Sequence, residues 1–94
     1  SIMEEQLAQA RQKINGIDQQ VVRLLEQRFA AVVEVNDYKR RHQLPVLDSQ
    51  REKQVLQKIS DISTDKATVG YLQKIFAEIM HQSREYQHDQ RKED

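Results

Sequence analysis

Residues 5–41 read EQLAQARQKINGIDQQVVRLLEQRFAAVVEVNDYKRR, and the spacing of their apolar side chains decides the fold. Leu7, Ala10, Ile14, Ile17, Val21, Leu24, Ala31, Val35 and Tyr38 step by three and four, as one face of an α-helix requires. The phase does not slip at Asn15-Gly16. A turn there would break the register, so a glycine tolerated inside a helix at roughly 1 kcal/mol is the better account. The spacing predicts one helix from about residue 5 to about residue 41.

About 37 residues at ~1.5 Å each make that helix roughly 55 Å long. A compact domain of this size has a radius of gyration near ~12 Å, hence a diameter of ~32 Å. The helix overhangs any monomer the chain can build, and an apolar stripe along the overhang needs cover from another chain. An intertwined helical homodimer is therefore expected.

Beyond it, His42-Gln43-Leu44-Pro45-Val46-Leu47 ends the helix, because proline cannot continue the ladder and forces Leu44 into extended geometry. Asp48 or Ser49 can cap a second helix carrying Val55, Leu56, Ile59 and Ile62, with Ser49 and Glu52 at capping-box spacing. Asp61-Ile62-Ser63-Thr64 breaks it. Ser63 or Thr64 then caps a third helix whose stripe reads Val69, Leu72, Phe76, Ile79, Ser83 and Tyr86. The polar run from His88 to Asp94 is expected to fray. The whole, residues 1–94, is expected to be a single all-α domain of three helices.

Composition narrows the function. One proline and two glycines argue against an all-β fold. Apolar residues at 37% against 32% charged leave a thin core. Fifteen basic and fifteen acidic side chains cancel, so the overall charge footprint of a general nucleic-acid binder is missing. With no cysteine there is no disulfide framework or thiolate nucleophile. His42, His81 and His88 lack the spacing that sets two metal ligands on one helical face. No stretch is apolar enough to span a membrane, and the acidic start does not resemble a secretion signal, so a soluble cytoplasmic protein is expected.

The sharper signal is where polar residues interrupt the stripes. Arg28 stands between Leu24 and Ala31, Lys39 lies four beyond Val35, and Arg11 lies between Leu7 and Ile14. The second helix's series runs back from Val55 to Glu52 and Asp48, and the third runs from Ile79 to Ser83 and on to Gln87. Each has an ordinary reading: a cation that snorkels to solvent, a capping-box acid at 52, a small core serine at 83, a surface glutamine at 87. Jointly, three helices bring inward polar groups with cations in excess, and a buried chamber for an anionic ligand is the economical explanation.

Arg28 and Lys39 are about 16 Å and about 20° apart on one helix, so their side chains can converge on one small molecule. Arg11 lies about 25 Å from Arg28, but in an antiparallel dimer the partner's copy can reach the site holding Arg28. Two arginines and a lysine suit a dicarboxylate, since guanidinium forks bind carboxylates bidentately. There is no nucleophile beside a histidine base and no glycine-rich phosphate loop, so binding, shape and a positive field should suffice.

These residues resemble the all-helical chorismate mutases, the AroQ class. The resemblance runs through Arg11, Ile17-Asp18, Leu24-Leu25, Arg28, Val32, Val35, Tyr38-Lys39, Leu44-Pro45-Val46-Leu47-Asp48, Arg51-Glu52, Ser83 and Gln87. The segment from Leu44 to Glu52, with Lys39 upstream, is its specific part. It implies an intertwined homodimer whose two sites convert chorismate to prephenate without a cofactor, a step of aromatic amino-acid biosynthesis. It also implies roles: Arg28 and the partner subunit's Arg11 on the two carboxylates, and Lys39 and Gln87 on the ether oxygen. Glu52, with the backbone near Asp48, would hold the ring hydroxyl, and Arg51 and Ser83 would complete the wall. The alternatives are an isochorismate-pyruvate lyase, which resembles this fold, and a non-catalytic dimerisation or regulatory module.

Overall fold

A computed structural model describes residues 1–92; Glu93 and Asp94, the end of the segment expected to fray, lie outside the described residues. Three α-helices make up the ordered elements, α1 (Ile2–Arg41), α2 (Ser49–Ile62) and α3 (Val69–Lys92), and the described residues contain no strand. The fold class is therefore all-α.

Helix α1 begins three residues earlier than its apolar stripe suggests. Ser1 Oγ accepts from the Glu4 amide at 3.2 Å, which satisfies one of the unpaired donors of the first turn. Glu4 and Glu5 at this end, with Lys39, Arg40 and Arg41 in the last turn, complement the helix dipole. Gly16 sits inside the helix, as the unbroken stripe requires.

At the other end α1 closes in a Schellman motif. The Leu44 amide donates to the Lys39 carbonyl at 2.7 Å and the Gln43 amide to the Arg40 carbonyl at 3.2 Å. Gln43 takes the left-handed position, with φ 56°. This reversal, followed by Pro45, sends the chain back toward the body of the protein with Val46 buried.

Of the two candidate caps for α2, Asp48 is the one used: its side chain accepts from the Arg51 amide at 3.0 Å. Capping at Asp48 rather than Ser49 puts Arg51 at the third position of the helix, moves Glu52 out of capping-box position and releases its carboxylate for other contacts. Ser63 and Thr64 do not cap α3. Ser63 instead closes α2, its amide and hydroxyl both donating to the Ile59 carbonyl, while Lys66 Nζ reaches the Ser60 and Ser63 carbonyls. The approach to α3 is an Asx turn, in which Asp65 Oδ1 accepts from the Ala67 amide at 3.0 Å. Thr68 then donates its amide and its hydroxyl to the Asp65 carbonyl.

Contacts divide the chain within α1 into two bodies, Ser1–Ala31 and a second that begins at Val32. In the first, no residue is buried, and Leu7, Ile14, Ile17, Val21 and Leu24 are each 45–62% exposed in the single chain. In the second, α2 packs on α3. Its core holds Val46, Ile59 and Met80, and Gln73 Nε2 on α3 donates to the Leu56 carbonyl on α2 at 3.2 Å. The stripe residues Val55, Leu56, Val69, Leu72, Phe76 and Ile79 are half-buried, while Ile62 at the end of α2 is exposed. The core is as thin as the composition suggested. Beside its three buried apolar side chains lie three buried polar ones: Asn36, Ser83 and Gln87.

Candidate active site

The site is built where the last turn of α1, the connector that follows it, the start of α2 and the C-terminal half of α3 meet. Lys39 is in that last turn. Its ammonium donates to the Val46 carbonyl at 2.7 Å and to Gln87 Oε1 on α3 at 3.2 Å. The Schellman turn makes the first contact possible, since it folds Val46 back over the residue that begins the motif. Burial pushes the Lys39 pKa below the ordinary lysine value. The charges of Asp48 and Glu52 act against this shift and that of Arg91 adds to it.

Gln87 is only 5% exposed. With Oε1 facing Lys39, its Nε2 donates to the Ser83 carbonyl one turn earlier, at 3.2 Å. Ser83 is buried too, and its hydroxyl donates to the Ile79 carbonyl at 2.7 Å, the back-bond of an ordinary helical serine.

Glu52, no longer a capping residue, forms a short ion pair with Arg84 across α2 and α3. Both of its oxygens accept from one Arg84 guanidinium nitrogen, at 2.6 and 2.7 Å, with both side chains about a quarter exposed. Asp48 and Arg51 are exposed, and the Asp48 carboxylate is engaged by the helix it caps. Arg11 and Arg28 belong to the first body, where Arg11 is exposed and Arg28 half-buried.

Three further residues in this region carry no role in the sequence reading: Arg84, Asn36 and Arg91. Asn36 is fully buried; its Nδ2 donates to the Gln87 carbonyl and to Gln90 Oε1, both at 3.4 Å, and its Oδ1 accepts from Arg91 Nε at 3.0 Å. Arg91 also donates through a terminal nitrogen to the Leu44 carbonyl at 3.1 Å. Two signals for them exist in the sequence. Asn36 lies three residues before Lys39 on the same helical face, and Ser83, Gln87 and Arg91 step by four. Arg91 falls in the polar run expected to fray from His88, yet α3 continues through it to Lys92. Arg84 lies off the stripe, and its pairing with Glu52 has no local sequence signature.

Among the described residues no group of three His, Cys, Asp or Glu side chains is placed to hold a metal ion. The chemistry on offer is hydrogen-bond donation from a lysine and a buried amide, beside an ordered carboxylate. Donors and a carboxylate held in this way are suited to binding a polar small molecule and to stabilising charge on it.

The family model for chorismate mutase type II matches residues 10–88, and the chain belongs to that family. Its activity is accordingly that of an isomerase whose substrate is chorismate, which it rearranges to prephenate. No curated protein matches the chain. The match gives no support to the lyase or to the adaptor reading. No helix among the described residues is long and apolar enough to cross a membrane.

Proposed function

We propose that Lys39 and Gln87 catalyse the rearrangement by donating hydrogen bonds to the ether oxygen of chorismate. The observation that carries this is their mutual arrangement. The Lys39 ammonium has three donors and spends two inside the protein; the Gln87 amide has two and spends one. Each retains one donor, and their 3.2 Å contact keeps the two close together.

In the [3,3] rearrangement the ether C–O bond breaks ahead of C–C bond formation, so negative charge grows on the ether oxygen. Donors fixed in advance stabilise that charge more than they stabilise the ground state, which lowers the barrier without any proton transfer. Glu52 would accept from the ring hydroxyl. A carboxylate offers about four lone-pair sites, so the hydroxyl can bind Glu52 beside Arg84, with the backbone near Asp48 completing the contact. Arg28 and the partner subunit's Arg11 would hold the two carboxylates and keep the enolpyruvyl arm over the ring. Arg51 and Ser83 would close the wall of the site.

This assignment requires a homodimer. The exposed stripe of residues 1–31 supports one, because another copy of the same helix is the simplest cover for it. A cysteine-free chain acting on a soluble metabolite also fits the cytoplasm.

Loss of chorismate absorbance, followed with purified protein, tests the assignment directly. Lys39→Met should abolish most turnover, whereas retained turnover would refute the donor role. Sharing of the sites is tested by mixing Arg11→Ala and Arg28→Ala chains. Hybrid dimers should regain one intact site, and no recovery of activity counts against sharing.

A further inference from the structure

Lys39, Val46, Leu44, Arg91, Asn36 and Gln87 form one closed ring of interactions. Lys39 is bonded to the Val46 carbonyl, and Val46 is joined to Leu44 through Pro45. The Leu44 carbonyl accepts from Arg91, whose Nε donates to Asn36. Asn36 donates to the Gln87 main chain, and the Gln87 side chain returns to Lys39. The ring is anchored at a residue with no solvent exposure, Asn36, whose amide is fully engaged. Such a side chain is held in one orientation, because any rotation would strand buried polar atoms.

We propose that Arg91 is a positioning residue for the rearrangement. By bridging Asn36 and the Leu44 carbonyl, it fixes the connector that carries Val46 and the turn that carries Gln87. Lys39 and Gln87 are thereby held in contact at 3.2 Å, with the donor that each retains kept beside the other's. The family match ends at residue 88, three positions before Arg91. The inference rests on the donor roles proposed for Lys39 and Gln87.

The fork geometry matters here. Arg91 uses Nε on one acceptor and a terminal nitrogen on another, a two-site grip that a lysine ammonium does not reproduce. Displacing a catalytic group by about 1 Å can lower a rate by about a hundredfold. Arg91→Met keeps the packed stem and removes the grip, so kcat should fall by roughly 10- to 100-fold while KM changes by less than about threefold. Arg91→Lys should show a comparable loss of kcat.

The pH profile separates positioning from loss of structure. Charged Lys39 is the working form, so activity falls as pH rises through its titration. The charges acting on it are Asp48 and Glu52 at the start of α2 and Arg91 on α3. Removing Arg91's charge raises the Lys39 pKa, so the alkaline limb should move to higher pH in Arg91→Met and stay in place in Arg91→Lys. Circular dichroism should remain that of the parent in both, and the Tm of Arg91→Met should fall by several degrees because the buried Asn36 Oδ1 loses its donor, a loss of stability that does not by itself move the alkaline limb.

The proposal is overturned if Arg91→Met keeps kcat within about twofold of the parent, or if Arg91→Lys restores it fully. Lys39→Met distinguishes the two levels of failure. If it keeps its turnover, the donor assignment itself is wrong. If it is inactive while both Arg91 variants are fully active, the donors stand and the clamp does not.

Discussion

Residues 1–31 and the body that begins at Val32 share a helix and one apolar register, yet they end in opposite states. The first contains no buried residue. The second contains all of the buried side chains among the described residues, half of them polar. Periodicity is therefore a statement about a face, and burial depends on what is brought against that face. Around Val32 to Arg91 the connector and α3 supply cover within the chain, and they close a polar network on themselves. Over Leu7 to Leu24 the single chain leaves the stripe exposed, and this is the segment that carries Arg11 and Arg28. On the proposed assignment the two regions divide the work: one binds carboxylates and builds the dimer, and the other carries the donors.

The largest effect expected from breaking that division is at Arg28. Losing two charge-assisted bonds at ~1.5 to 3 kcal/mol each should lower kcat/KM by roughly 10²- to 10⁴-fold in Arg28→Ala. Sedimentation should still report a dimer, since the substitution leaves the apolar stripe intact. A variant that keeps turnover places the carboxylate site elsewhere.

Gln87→Glu attacks the other region. At neutral pH the new carboxylate would face the Ser83 carbonyl and the developing negative charge with no proton to donate, and the rate should fall by about 10²- to 10³-fold. Protonation restores the donor, so the rate should recover as pH falls through the new side chain's titration. Equal activity of parent and variant at neutral pH would remove Gln87 from the mechanism. In the parent, activity should instead decline on the alkaline side, starting below the range of an ordinary lysine because burial depresses Lys39.

The helices were legible because apolar spacing reports them over many residues at once, and no one position decides the outcome. What was hidden depended on single choices. Asp48 and Ser49 are both good caps, and which one stops the helix decides whether Glu52 faces its own first turn or Arg84. Ser63 reads equally as the end of one helix or the start of another until Lys66 and Asp65 are placed around it. Lys39, Glu52, Ser83 and Gln87 could be singled out because they interrupt stripes. Spacing sets Asn36 and Arg91 on the same faces as Lys39 and Gln87, but their significance lies in a bond across more than fifty residues of sequence, which spacing does not show.

A smaller effect is expected along the exposed stripe. If a second copy covers it, Ile14→Lys removes apolar burial worth ~1.5 to 3 kcal/mol per chain and sets a charge in its place. The dimer should then dissociate at concentrations where the parent does not, and activity should fall with protein dilution. A stable, active dimer in this variant would mean that the stripe is covered by something other than its own copy.

The smallest effects come from a pair of backbone positions, one in each region, where the opposite residue fits better. Gly16 lies inside α1, and a Cβ added there meets nothing within 4 Å. Alanine should stabilise the helix by up to ~1 kcal/mol, chiefly by restricting the unfolded chain. Gln43 is the converse: it holds φ 56° at the Schellman position, where a side chain is disfavoured. Gln43→Gly relieves ~1 kcal/mol of left-handed strain, but it also makes the unfolded chain more flexible, so the net gain should be smaller than at Gly16. The two also differ in what they touch. Gly16→Ala should leave kcat unchanged, because the residue is far in sequence from the turn that sets Lys39. Gln43 sits in that turn, between the Arg40 and Leu44 bonds that bring Val46 to the ammonium. If glycine there raises the Tm and leaves kcat intact, the turn is held by its hydrogen bonds alone. If kcat falls as the Tm rises, the side-chain restriction at Gln43 is part of what keeps Val46 over Lys39.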